Sequence, residues 1–196
     1  MSTVKCNMDN TPQTFTIPSY EDFRGYLSVV YDRDIPFEVR QINQGYSKAA
    51  FTLRGLHFQS EPYAQAKLVT CLHGSIFNVA VDIRPGAGFG RAYTEVLSFE
   101  NRKMMYIPRG YAHGYLTLED DTLMQWCTDN DFCAGAAHAI KYDDPDIIWT
   151  GASWLDTSCL AASCQGTTCN GASCNAGRYI VSEKDRNGMK LKDILK

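Results

Sequence analysis

Residues 75–83 constrain the fold more than any other stretch of the chain. Phe77, Val79, Val81 and Ile83 alternate with Asn78, Ala80 and Asp82. That period of two predicts a β-strand with one buried face. The same short, strand-like grain recurs on both sides. Strands are expected in GYLSVVYD after an Arg24-Gly25 turn, and at residues 37–41 (FEVRQ), 53–59, 67–72, 92–97, 103–107, 115–118 and 122–128. Between them stand His73-Gly74, the glycine-rich loop RPGAGFGR at 84–91, Glu100-Asn101 and the turn PRGYAHG at 108–114. Many short strands with frequent Gly and Pro punctuation imply an all-β barrel or jelly roll. Helix is expected only near the ends, at residues 190–195, as a short helical C-terminal segment.

A chain of 196 residues supports one sizeable core rather than two ordinary domains, so a single domain over 1–196 is expected. Its formal net charge of -3 argues against a general nucleic-acid binder, which carries a basic excess. A local basic pocket for one nucleotide remains compatible with it. The opening MSTVKCNMDNTPQ has no apolar h-region, and no run of about 18 apolar residues follows. These features predict a cytoplasmic protein with no signal peptide and no membrane partner.

Of eight cysteines, Cys6, Cys71, Cys127 and Cys133 are scattered. The other four fall in SCLAA-SCQGT-TCNGA-SCNAG, residues 158–177, where a five-residue unit repeats. We read this as a Cys-rich, low-complexity insertion on the surface, with thiols mostly free in a reducing compartment. One coil of a repeat structure could not bury a core by itself. Zinc fits poorly, because the even spacing lacks close CxxC pairs.

Chemistry concentrates in LRGLHFQSEPYAQAKLV, residues 53–69. Arg54 offers a guanidinium fork suited to phosphate. His57 can move a proton near neutral pH. Lys67 can stabilise a developing oxyanion. A strand histidine is more often structural, but Arg54, Gln59 and Lys67 are polar groups that a plain core would not collect. His113 sits in PRGYAHG, where it either bonds turn backbone or enters the same site.

Pro108-x-Gly110-x-x-His113 resembles the second motif of the cupin superfamily. The place of the first motif reads His57-Phe58-Gln59, with one ligand histidine missing and no suitably spaced glutamate, so a cupin barrel without a catalytic metal or other cofactor is expected. RGLHFQ, PYAQAKLV, GSIFNVAVDIR, IPRGYAHGYL, KYDDPDI and SEKD occur in the order found in dTDP-4-dehydrorhamnose 3,5-epimerases, which this chain resembles over residues 22–188 outside the insertion. The resemblance implies epimerisation beside a ketone, at C3, C5 or both, of a nucleotide-linked 4-keto-6-deoxy sugar. It makes His57 the base, Asp185 its dyad carboxylate and Lys67 the partner of the enolate oxygen. It assigns Arg54 and His113 to the diphosphate, and Gln41 and Asn43 to the nucleotide end. Gln59, Trp126 and Phe132 would line the sugar pocket. Arg24 would reach a neighbouring subunit from an exchanged N-terminal strand, in a homodimer.

Three positions depart from that pattern. The family's acid, a tyrosine across the sugar from the histidine, falls on Trp126. A second tyrosine falls on Phe132, and an aspartate falls on Asn78. Indole is no usable acid, so the resemblance leaves the proton donor open, with Tyr63, Tyr106, Tyr111 and Tyr115 as substitutes. Trp126 itself either walls the sugar pocket or fills core volume. Rival functions are a 3,4-ketoisomerase, a non-catalytic sugar-nucleotide binder and a metal-dependent cupin oxygenase.

Overall fold

The computed structural model describes residues 10–32, 35–155 and 179–196; the cysteine repeat lies outside them. Eleven strands carry the barrel and its N-terminal hairpin: β1 (Gln13–Thr16), β2 (Ser19–Asp22), β3 (Gly25–Ser28), β4 (Gln41–Ser47), β5 (Thr52–Gln59), β6 (Lys67–His73), β7 (Ser75–Asp82), β8 (Arg91–Ser98), β9 (Lys103–Ile107), β10 (Tyr111–Thr117) and β11 (Thr122–Thr128). Short strands β12 (Ala137–Ala139), β13 (Ile148–Trp149) and β14 (Ile180–Val181) follow, then helix α1 (Glu183–Arg186) and a 3-10 turn, Leu191–Leu195. One sheet runs β1-β9-β6-β11-β4, the other β12-β5-β10-β7-β8-β13 with β14 on β5. Chain neighbours are thus often split between sheets, as a jelly roll requires.

The two sheets enclose one core and each carries a second on its back. Val69, Cys71, Ile76, Ala80, Tyr115 and Met124 belong to the cluster between the sheets. Behind the longer sheet, Phe77, Val79 and Val81 pack against Ile140, Trp154 and Leu191 of the C-terminal segment. Strand β7 is therefore buried along its whole length, not on one face as its alternation suggested. The C-terminal segment covers the strongly apolar face, while Asn78 and Ala80 look into the barrel. A strand buried on both faces reads as near-continuous burial.

Two local expectations are corrected. FEVRQ is not a strand. Phe37 is buried against Met104 and Tyr106 behind the shorter sheet, edge-on to Tyr106 with ring centroids 6.3 Å apart, so its apolar residues serve as a cover. The strand begins only at Gln41, in the polar run QINQGYS, which pairs with β11 at the sheet edge. Likewise the turn at Pro108 ends at Gly110, whose φ of 82° suits glycine. Strand β10 starts at Tyr111, placing His113 inside the sheet rather than at a turn.

Candidate active site

A cavity of about 820 Å³ opens between the sheets, lined from β5 by Arg54 and His57, from β10 by His113 and Tyr115, and from the opposite sheet by Lys67 and Trp126. That volume suits a small-molecule ligand. Strand pairing sets the positions: His113 lies opposite His57 and Tyr115 opposite Arg54, with a register shift between them.

His57 Nε2 stands 2.6 Å from Asp185 Oδ1. Asp185 is delivered by α1, which Ser182 caps through its hydroxyl as expected of an N-cap serine. Its other oxygen accepts the Gly55 amide at 3.3 Å. Burial alone would raise the Asp185 pKa, but the hydrogen bonds and charge of His57 and the bonds from Gly55 and Ser182 hold it below the ordinary carboxylate value. An ionised carboxylate on Nε2 keeps the proton there and leaves Nδ1 with its lone pair. The dyad can therefore take a proton and stabilise the imidazolium that results.

Lys67 is buried, and desolvation lowers its pKa from 10.5 to about 8. Its ammonium donates to the His57 carbonyl at 3.4 Å. His113 is also buried, and desolvation, then the charges of Lys67 and His57, push its pKa well below 6.5. It is neutral at pH 7. Asn78 Oδ1 lies 2.8 Å from His113 Nε2, and the Asn78 amide nitrogen faces Met105 Sδ at 3.1 Å. That orientation makes Nε2 the protonated nitrogen of His113.

Arg54 lines the cavity, anchored at the Tyr46 carbonyl at 3.1 Å. Trp126 lines it beside Met124, and Phe132 stands at its rim, 62% exposed. Gln59 also borders it, but its amide bonds the backbone of Tyr63, Asp131 and Cys133, so it secures the rim loop. Gln41 and Asn43 bond each other at 2.5 Å and do not line the cavity. Arg24 is remote on the β2–β3 hairpin, paired with Asp22 at 2.6 Å. Sequence reasoning passed over Gly45, His138 and Lys184, all of which border the cavity; Gly45 and His138 sit in no pattern that marks them, and Lys184 lies in SEKD beside the dyad Asp185 that drew attention there. Among the described residues no three His, Cys, Asp or Glu side chains group as metal ligands, and no helix is long and apolar enough to cross a membrane.

The family model of dTDP-4-dehydrorhamnose 3,5-epimerases matches residues 12–193. The enzyme of that name from Sinorhizobium fredii is 39% identical over 143 residues, 69% of this chain and 71% of its own length. The crystal structure of the Elizabethkingia anophelis enzyme superposes with a TM-score of 0.73 at 30% identity, covering 98% of this chain and 96% of that one. The dTDP-6-deoxy-D-glucose-3,5-epimerase of Legionella pneumophila, solved with dTDP-4-keto-L-rhamnose, gives a TM-score of 0.74 at 26% identity, covering 96% and 92%.

Proposed function

The chain belongs to the dTDP-4-dehydrorhamnose 3,5-epimerase family, and from that premise we propose how its own residues perform the reaction. It is an isomerase, an epimerase of a nucleotide-linked 4-keto-6-deoxy sugar acting at C3, C5 or both. The carbonyl acidifies the neighbouring C–H bonds. His57 Nδ1 removes one such proton, and Asp185 stabilises the imidazolium. The Lys67 ammonium, itself buried, neutralises the enolate oxygen. Arg54 takes the diphosphate through its fork. The observation that carries this reading is the 2.6 Å His57–Asp185 pair on the wall of a ligand-sized cavity.

The expected assembly is a homodimer. The β2–β3 hairpin exposes Phe23 at 98% and Leu27 at 67%, apolar surface that a partner subunit would cover; sedimentation of a monomer at micromolar concentration would refute it. Residues 158–177 are proposed as an insertion outside the catalytic domain, and the protein as cytoplasmic.

The direct test is proton exchange in heavy water with a dTDP-linked 4-keto-6-deoxyhexose, followed by NMR. The parent should wash deuterium into C3 or C5. His57→Asn should lose about 10²–10⁴-fold of that rate while still binding dTDP. Carbonyl migration in the product would instead make it a ketoisomerase, and binding without exchange a sugar-nucleotide binder.

A further inference from the structure

Inversion of a carbon needs a proton donor on the face opposite the base. Trp126 cannot supply one, since an indole N–H is not a usable acid. Lys67, on the opposite sheet, is held by the His57 carbonyl at 3.4 Å and on the reading above is engaged by the enolate oxygen. Of the tyrosines that sequence analysis left open, Tyr63, Tyr106 and Tyr111 do not line the cavity, whereas Tyr115 does. The only other tyrosine among the described lining residues, Tyr46, engages Asp121 through its hydroxyl at the exposed edge.

Tyr115 starts on β10, next to the strand of His57, but its ring crosses the barrel. A Cβ built on Gly45, in the opposite sheet, would stand 2.9 Å from the Tyr115 hydroxyl and 3.4 Å from Trp126 Cζ3. The hydroxyl therefore lies beside the Trp126 ring, at the wall facing the base, in space that only a glycine at 45 leaves open. Tyr115 is 5% exposed, and its hydroxyl closes no hydrogen bond of full geometry among the described residues; the Ser47 hydroxyl is near enough to act on it as a hydrogen-bonding neighbour, but does not complete a bond. Core packing alone would be met by phenylalanine, which leaves no buried hydroxyl unsatisfied. An orphaned donor at a cavity wall points to a ligand.

We propose that Tyr115 is the acid of this site, its hydroxyl protonating the substrate enolate carbon on the face opposite His57. This rests on the epimerase reading above. One C–H bond breaks as the His57 Nδ1–H bond forms. The Tyr115 O–H bond then breaks as a new C–H bond forms and the ketone returns. The phenolate regains its proton from the imidazolium through solvent, so no redox partner is required. Burial raises the Tyr115 pKa, which keeps the acid loaded, and the nearby Arg54 charge favours the transient phenolate.

Tyr115→Phe separates the two half-reactions. In heavy water His57 should still exchange the substrate proton and return deuterium to the same face. Deuterium wash-in without inversion should therefore persist, while inversion falls about 10²–10⁴-fold. Gly45→Ala, which crowds the hydroxyl, should also reduce inversion, yet add no further loss in the Tyr115→Phe background. Absence of wash-in in the parent would overturn the epimerase reading and this inference with it. Wash-in with undiminished inversion in Tyr115→Phe would overturn the acid assignment alone. Equal loss of both readouts, or additive losses in the double variant, would reduce Tyr115 to packing and overturn it as well.

Discussion

Lys67→Met should make the protein more stable and less active at once. Burial lowers the Lys67 pKa from 10.5 to about 8. Each pH unit of displacement is worth about 1.4 kcal/mol, so enclosing the ammonium costs folding about 3 kcal/mol at pH 7. Methionine has a similar shape and no charge. The lost hydrogen bond to the His57 carbonyl at 3.4 Å returns about 1 kcal/mol of that. The net expectation is a gain of about 2 kcal/mol, or about 4–8 °C in Tm for a chain of this length. The sign with pH follows from the lowered pKa. Below about 8 both folded and unfolded lysine are charged and the whole penalty stands. Between about 8 and 10.5 only the unfolded chain holds the proton, so the penalty fades as pH rises. The advantage of Lys67→Met should therefore shrink between pH 8 and 10. Urea melts of both proteins at pH 7 and pH 10 measure it, and deuterium wash-in gives the activity, expected to fall about 10²–10³-fold. A variant that is less stable at pH 7, or whose advantage is the same at pH 10, would refute the burial argument.

Other perturbations test separate parts of the site. Asp185→Asn should lower turnover about 10⁴-fold by mis-setting the His57 tautomer; an effect confined to substrate affinity would assign Asp185 to binding. Neutral His113 makes the wild type lose stability as pH falls below about 6.5, because the unfolded chain takes up the proton first. Asn78→Asp places a carboxylate at Nε2, so its urea midpoint should drop less between pH 7 and 5 than that of the parent. Trp126→Tyr in the Tyr115→Phe background should restore part of the inversion by returning a hydroxyl to the same wall; no recovery would mean that this wall is not where the proton is delivered. Deleting residues 158–177 with a Gly/Ser bridge should leave a folded, active protein, and loss of fold or of bound zinc would make the four cysteines structural.

Period and punctuation were enough for the all-β fold, because a strand's alternation is written locally. They could not say which face of β7 meets which core. That depends on the C-terminal segment covering Phe77, Val79 and Val81, and a cover more than fifty residues away leaves no local mark. FEVRQ has strand composition and becomes a cover for the same reason: Phe37 finds Tyr106. The polar strand Gln41–Ser47 alternates in burial, but its apolar residues Ile42 and Tyr46 fall on the exposed side, so hydrophobic alternation did not mark it. In the site, RGLHFQ and SEKD named both halves of the dyad through resemblance, though 128 residues separate them. Nothing in the sequence placed the Tyr115 hydroxyl, since its meaning comes from a glycine on the facing sheet.

The charge pattern of the cavity bears on how a diphosphate would be held. A histidine that is buried, neutral and bonded through Nε2 to a neutral amide presents only the lone pair of Nδ1 to a ligand. It can accept a hydrogen bond there but cannot donate one, and a fully ionised phosphate oxygen offers no proton. Cationic groups on the lining are Arg54, Lys67 and Lys184. On the proposed reading Lys67 serves the enolate oxygen, so the phosphates fall to Arg54, with Lys184 as the remaining cation. His113 then engages phosphate only if the ligand itself drives its protonation. In that case diphosphate binding takes up a proton and weakens as pH rises through the histidine range. With an aspartate in place of Asn78, the imidazolium would be formed before the ligand arrives, and that coupling would vanish. On the proposed reading, if His113 meets the phosphate at all, the Asn78 amide is the element that would set whether that contact depends on pH.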